Sequence, residues 1–213
     1  MLNYGRSAMG LRAENKRRKR QAIESAARAL FQHGGYEGTT TRAVAEAAGV
    51  AVGTLFVYFP EKRDLLFEVM RGDIDAAVAS AFARRAPDAP LLETLRAIFG
   101  AVFAVYDPHP ELARVFVRET LFADETRSGE LAGWTLGFVA QLSQLMVEAQ
   151  QRGEVARDVP VMLAAMHCFS SYLFVLLGWL NGQLTSADRD AMLSQSLSLT
   201  LRGFATSAQG GPS

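Results

Sequence analysis

The sequence predicts an all-α protein of about nine helices, with short helices in a basic first quarter and a larger helical bundle after them. Three observations carry this. Apolar residues recur at helical spacing through most of the chain, as in Ile23, Ala26, Ala27, Leu30 and Phe31. The intervals between such segments hold Gly, Pro, Asp and Asn, the residues that end helices and make turns. No stretch alternates β-branched and polar residues between hairpin turns, so no sheet is expected.

Taken in order, residues 1–15 lack apolar periodicity and are expected to form a flexible tail. Helix one is expected from about Lys16 to His33, ended by Gly34-Gly35, which reach positive φ without a steric penalty. Thr39, Thr40 and Thr41 precede the next segment, where a threonine can cap exposed N–H groups. A short helix over Arg42–Ala48 breaks at Gly49, and another covers Ala51–Phe59. Pro60-Glu61 open a longer helix with Leu65, Leu66, Val69, Ile74, Ala77, Val78 and Phe82 on one side. Further helices are expected over about 91–106, 110–122, 129–152, 160–184 and 186–205, and the last residues, 206–213, form a second flexible tail. The domains expected are 16–62 and 63–205.

A chain of 213 residues, 49% hydrophobic and 21% charged, has the composition of a folded protein with a buried core. Its 22 basic and 22 acidic residues cancel. The zero conceals a division, because residues 1–65 hold eleven basic residues against six acidic ones, leaving eleven against sixteen in the remainder. A first part at +5 joined to a remainder at −5 points to a polyanion partner for one end only. The single Cys168 excludes an intramolecular disulfide and any CxxC pair. The basic start lacks the apolar run of a secretory signal, so a cytoplasmic location is expected. Residues 159–187 carry no charged residue, and VMLAAMHCFSSYLFVLLGWL within them is about the length of a membrane span. His167, Ser170, Ser171, Asn181 and Gln183 interrupt them, so a buried interface helix is expected rather than a span.

The stretch TRAVAEAAGVAVGTLFVYF, from Thr41, has the spacing of a helix-turn-helix. Val44 and Ala48 face inward, Ala45 is small enough for the second helix to lie against the first, and Gly49 takes the turn conformation. Val50, Leu55 and Tyr58 close the miniature core. The second helix keeps one face free, carrying Ala51, Val52, Gly53, Thr54, Phe56 and Val57, at a width that fits the DNA major groove.

On these residues, positions 20–68 resemble the DNA-binding end of the TetR family of transcriptional repressors. The run LFQHGGYEGTTTRAVAEAAGVAVGTLFVYFPEKRDLLFEV carries the likeness: an aromatic after the Gly pair, a Thr cluster, AxxAGV, GTL-aromatic, a YF pair and a following Lys. The resemblance implies a homodimer with an N-terminal three-helix reader and a larger domain that dimerises and binds a small effector, whose binding releases the operator. It implies that Thr41 and Arg42 touch phosphate or a base edge, that Thr54 and Phe56 lie on the recognition helix, and that Tyr58 and Lys62 meet phosphate. Val52 stands where the family commonly has a polar residue, and neither Phe56 nor Val57 has a polar tip. Hydrogen-bonded base readout therefore leans on Arg42 and Thr54, with Val52 and Phe56 limited to apolar contact such as a thymine methyl. Lys16, Arg17 and Arg18, in the run KRRKR, are expected to reach adjacent phosphates or the minor groove.

In the larger domain, Phe99, Phe103, Tyr106, Phe116, Trp134, Phe138, Met166 and Tyr172 supply more apolar surface than one core face needs, with Glu119 and His167 as polar companions. They are the candidate lining of a site for a hydrophobic or aromatic effector. The last two long helices are expected to pair as a hairpin and, with a second copy, to form a four-helix dimer interface. No enzyme is expected, since GxSxG, a Walker loop, HExxH and GxGxxG are all missing. No cofactor or metal is expected either; Asp107, His109 and Glu111 are better explained as turn and helix-start residues. The function expected is a ligand-responsive repressor. The alternatives are an effector-independent or activating regulator, or, in another class, a membrane-associated or small-molecule-binding helical protein.

Overall fold

The computed structural model describes residues 4–123 and 125–205. Among them every regular element is helical: α1 (Tyr4–Gly38), α2 (Thr41–Ala47), α3 (Val52–Tyr58), α4 (Lys62–Arg84), α5 (Leu91–Tyr106), α6 (Pro110–Leu121), α7 (Glu125–Arg152), α8 (Val161–Leu180) and α9 (Ser186–Phe204). The expected flexible segment 206–213 lies outside the described residues, as do residues 1–3. The rest of the expected N-terminal tail is helical, because α1 starts at Tyr4 rather than near Lys16. Residues 10–19 are all exposed, so no core contact sustains this extension. Its Ala, Leu, Met, Arg, Glu and Lys content favours helix by propensity alone. At the other end of α1 the path bends at Gly35, whose φ of 68° only glycine adopts without strain.

The chain divides into two compact units. The first comprises residues 1–75 and 108–119, and the second residues 76–107 and 120–213. A boundary expected at 62/63 follows the helix-turn-helix motif, whereas the division by contact also gives the first unit the opening of α4 and most of α6. Side chains explain that membership. The Phe67 ring of α4 stacks on Phe116 of α6, with centroids 6.0 Å apart. Leu65, Leu66, Leu112 and Ala113 are buried with them.

In the second unit α8 packs against α7 and α9, and α5 packs against α9 and α7. Helix ends are fixed by specific bonds. The N-cap of α5 is Pro90, which offers no side-chain acceptor; Glu154, in the α7–α8 loop, replaces it by accepting from the Leu91 N–H at 2.7 Å. Gln150 Nε2 donates to the Ala156 and Val159 carbonyls and so holds the same loop. Thr185 and Asp188 cap α9 reciprocally. The most buried charge of the unit is Arg189, which bridges to Asp107 and Asp190 while its guanidinium lies 4.2 Å from the Phe103 ring centroid and 4.6 Å from that of Trp179.

Candidate nucleic-acid interface and aromatic cluster

The reader is built from the sequence outward. Thr40 caps α2 by accepting from the Ala43 N–H at 3.1 Å. The turn after α2 closes as its spacing predicts: Gly49 has φ of 65°, its N–H reaches the Glu46 carbonyl at 3.0 Å, and the Val50 N–H reaches that of Ala45 at 2.9 Å. Val44, Ala45 and Leu55 are fully buried, as are Ile23 and Ala27 of α1. Ala48, Val50 and Tyr58 are half-buried and border this core. The exposed residues at α3 are Ala51, Gly53, Phe56 and Val57, with Val52 and Thr54 half-buried beside them. No charged side chain stands on this helix. A helix presented in this way can enter a major groove and offer methyl and ring surface, with side-chain hydrogen bonding confined to Thr54 and to the Tyr58 hydroxyl at its end.

Cations are placed around the pair. Arg42 is exposed on α2, and its side chain makes no hydrogen bond or ion pair among the described residues. Thr41, next to it, is half-buried. On α1, Lys16 and Arg18 are exposed, whereas Arg17 is tied to Glu14 at 2.7 Å. Arg20 is turned inward to the reader: it bonds Glu24 at 2.8 Å and Glu68 at 2.5 Å and lies over the Phe59 ring. Lys62 does not project freely, because its ammonium donates to the carbonyls of Tyr36 and Thr39. Burial, with the Glu119 carboxylate adding to it, holds the Tyr36 hydroxyl above its ordinary pKa.

The expected effector residues fall into three groups. Phe99, Phe103, Tyr106 and Tyr172 come together: Phe99 stacks on Tyr172 at 4.8 Å, Phe103 tilts against Tyr172 at 5.2 Å, and the Tyr106 and Tyr172 hydroxyls share a hydrogen bond. Phe138 joins edge-on to Phe99 at 6.1 Å, and Phe169, one turn before Tyr172 on α8, meets Phe138 at 6.0 Å. Trp134 is half-buried a turn away on α7. Phe116 and Glu119 belong instead to the first unit, where Phe116 stacks on Phe67 and Glu119 pairs with Arg118 at 3.2 Å. Met166 and His167 lie on the exposed side of α8, away from the rings that Tyr172 meets. These four are not part of the aromatic cluster. Helical spacing identifies them as apolar or flanking positions, but spacing does not say which neighbour a face meets. Asp107, expected from the sequence as a turn acid, accepts from Arg189.

Cys168 and the two tyrosines are buried acids. Burial pushes the Cys168 thiol from 9.0 up to about 12 and raises both tyrosine hydroxyls above their ordinary range. The sign follows directly. Between pH 9 and 12 the unfolded chain releases the thiol proton while the native chain keeps it, so stability present below pH 9 is lost as pH rises. Chemical denaturation should therefore show stability falling by about 1.4 kcal/mol per pH unit from the thiol alone, and more steeply above pH 10 as the tyrosines join. Iodoacetamide at pH 8 should label Cys168 only after denaturation. Rapid labelling of the native protein would contradict this.

Comparison with known proteins agrees with this geometry. Residues 23–69 match the family described as "Bacterial regulatory proteins, tetR family". The chain is 30% identical to the HTH-type transcriptional repressor KstR of Mycolicibacterium smegmatis over 92% of its own length and 90% of that protein. With the HTH-type transcriptional regulator RutR of Escherichia coli K12 it shares 31% identity over 74% of each chain. Among solved structures it superposes on Thermus thermophilus FadR, a TetR-family repressor in complex with lauroyl-CoA, with a TM-score of 0.74 and 22% identity, covering 91% of this chain and 99% of that one. Bacillus subtilis FadR in complex with stearoyl-CoA gives a TM-score of 0.66 at 22% identity, covering 86% and 98%. With a helix-turn-helix of this geometry and a relative matched over nearly its whole length, the chain belongs to the TetR family of DNA-binding transcriptional regulators and is not an enzyme.

Proposed function

We propose that this regulator is a repressor that grips a two-fold-related operator as a homodimer, acts in the cytoplasm, and lets go when a small hydrophobic effector binds its second unit. The observation that carries the DNA contact is the α2–α3 pair itself, with an exposed Arg42 that no described residue pairs with, beside an uncharged recognition face. The DNA-binding residues proposed are Lys16, Arg17, Arg18, Thr41, Arg42, Ala51, Val52, Gly53, Thr54, Phe56 and Tyr58. Two such faces related by a two-fold axis read half-sites about 34 to 36 Å apart. With so few hydrogen-bonding groups on α3, discrimination leans on apolar contact and on the deformability of the operator.

The effector site proposed is the cluster of Phe99, Phe103, Tyr106, Phe138 and Tyr172. Its rings offer an apolar lining and the hydroxyl pair offers one polar anchor, the composition of a small-molecule site. A fatty acyl chain carried on coenzyme A is the effector class put forward, in line with the lauroyl-CoA and stearoyl-CoA held by two solved neighbours. For the dimer, the interface proposed is the exposed stripe of Met162, Leu163, Met166 and Phe174 on α8 with Leu199 on α9. α8 is long and apolar enough to cross a membrane, yet 33% of that stretch is buried in the chain itself. A second copy seated on the remainder accounts for the apolar surface without a bilayer.

Arg42→Ala tests the reader. Its affinity for a duplex selected from a random pool should fall about tenfold or more, and the slope of log K against log salt should lessen by about 0.9, because one phosphate fewer is neutralised. Unchanged affinity and slope in a folded variant would remove Arg42 from the interface. For the effector, lauroyl-CoA at about one hundred times its Kd should stabilise the protein by about 2.7 kcal/mol and weaken the DNA complex. Stabilisation without release would leave a ligand site but no induction.

A further inference from the structure

Lys62 stands where a phosphate contact is expected from the family resemblance, but its ammonium is already occupied. Nζ donates to the Tyr36 carbonyl at 2.9 Å and to the Thr39 carbonyl at 3.2 Å. It also sits 4.1 Å from the centroid of the Tyr36 ring. An ammonium has three N–H donors, so two carbonyls and a π face account for most of what it can offer. The two carbonyls flank the stretch between the Gly35 bend of α1 and Thr40, the cap of α2. Thr39 is buried there, its hydroxyl spent on the Gly35 carbonyl at 2.8 Å. Lys62 is also the first residue of α4. One side chain thus ties together the end of α1, the residue before the α2 cap and the start of α4, the three points that frame the helix pair.

We propose that Lys62 is a positioning residue, which fixes the α1–α2 junction on the start of α4 and so sets the pose of the recognition helix, rather than a phosphate contact in its own right. The proposal rests on the DNA-reader reading given above. The physical contrast is clear. Turning to a phosphate would exchange two charge-assisted bonds and a ring contact in a half-buried site for one ion pair in water, where screening weakens it. The Tyr36 carbonyl keeps one local donor, the Thr39 N–H at 3.2 Å, while the Thr39 hydroxyl is committed to Gly35 and offers nothing to the Thr39 carbonyl.

The test compares wild type, Lys62→Met and Arg42→Ala as full chains, by thermal melting without DNA and by binding to a selected operator duplex over a range of salt. Methionine keeps the stem and removes the donors. Lys62→Met is expected to melt about 3 °C lower and to bind about tenfold more weakly at each salt concentration, the loss expected when bonds from a charged donor are removed. Its salt slope should equal that of wild type, while Arg42→Ala lowers the slope. A slope lessened by about 0.9 in Lys62→Met overturns the proposal, as does an unchanged melting temperature. Should Lys62→Met fail to fold, Lys62→Gln, which keeps one donor group, takes its place with the same criteria. If Arg42→Ala also leaves the slope unchanged, the reader assignment fails separately, and the melting comparison still decides the clamp.

Discussion

Replacing Arg189 by alanine lowers the stability of the second unit by about 3 kcal/mol, the largest loss expected from any single charged residue of the chain. Its side chain is 4% exposed, whereas those of its partners Asp107 and Asp190 are 42% and 63% exposed. The carboxylates therefore remain well solvated when the arginine is removed, and the ion pairs contribute less than burial of the cation suggests. Most of the loss comes from the rings. The guanidinium lies against both Phe103 and Trp179, at 4.2 and 4.6 Å, beside rings that meet each other edge to face at 6.2 Å, and deleting it removes two cation–π interactions of about 1 to 2 kcal/mol each and leaves a void next to them. Arg189→Met, which refills the vacated space with apolar volume, should recover about half the loss. Asp107→Asn should cost less than about 1 kcal/mol, since it touches only the solvated side of the pair. Urea denaturation of the three variants checks the order. A loss in Asp107→Asn equal to that in Arg189→Ala would show that the ion pair, not the ring contacts, holds α9 to the end of α5.

The parts of the reader that are legible in the sequence are those set by neighbours within one or two turns. Val44, Ala45, Gly49 and Leu55 lie within a dozen positions, and the geometry of a tight interhelical turn leaves each of them a narrow choice of residue. Lys62 is not legible as a clamp, because its acceptors are backbone carbonyls at Tyr36 and Thr39, and a carbonyl has no residue signature. The start of α1 escapes for the opposite reason: residues 10–19 bury nothing, so no periodicity exists to read, and propensity alone makes the helix. In the second unit, the spacing of Phe99, Phe103 and Tyr106 puts them on one buried face of α5, where Phe99 and Phe103 meet Tyr172 of α8, a partner that spacing within one helix cannot name. Phe116 has the same kind of spacing on α6 but stacks on Phe67 in the other unit. Met166 and His167 are exposed in the single chain, which spacing does not reveal because α8 is apolar all round and no charge marks which side of it is wet. That same ambiguity hides the surface from which the dimer is proposed to form.

Phe174→Glu is the decisive substitution for that surface. Phe174 is 71% exposed in the single chain, the most exposed of the apolar residues on α8. In a two-fold interface each residue appears twice, so a loss at one position counts twice in the assembly. Burying a phenylalanine contributes about 2 kcal/mol per copy, and two copies give about 4 kcal/mol, roughly a thousandfold in the dimer dissociation constant. A glutamate there adds the cost of burying a charge in each copy's half of the interface, so dissociation at micromolar protein is the expected result by sedimentation velocity. Circular dichroism should remain that of a folded helical protein, because the residue bears little on the interior of its own chain. Operator binding falls with the dimer: two linked readers gain about 10² to 10⁴ in avidity over one, and the separated chains forfeit it. Leu199→Ser, at the edge of the same stripe on α9, should produce a smaller shift of the same sign. If Phe174→Glu stays dimeric and keeps its operator affinity, the stripe on α8 faces something other than a second copy. In that case the uncharged length of α8 needs a different occupant, and vesicle flotation of the wild-type protein becomes the experiment that identifies a lipid surface.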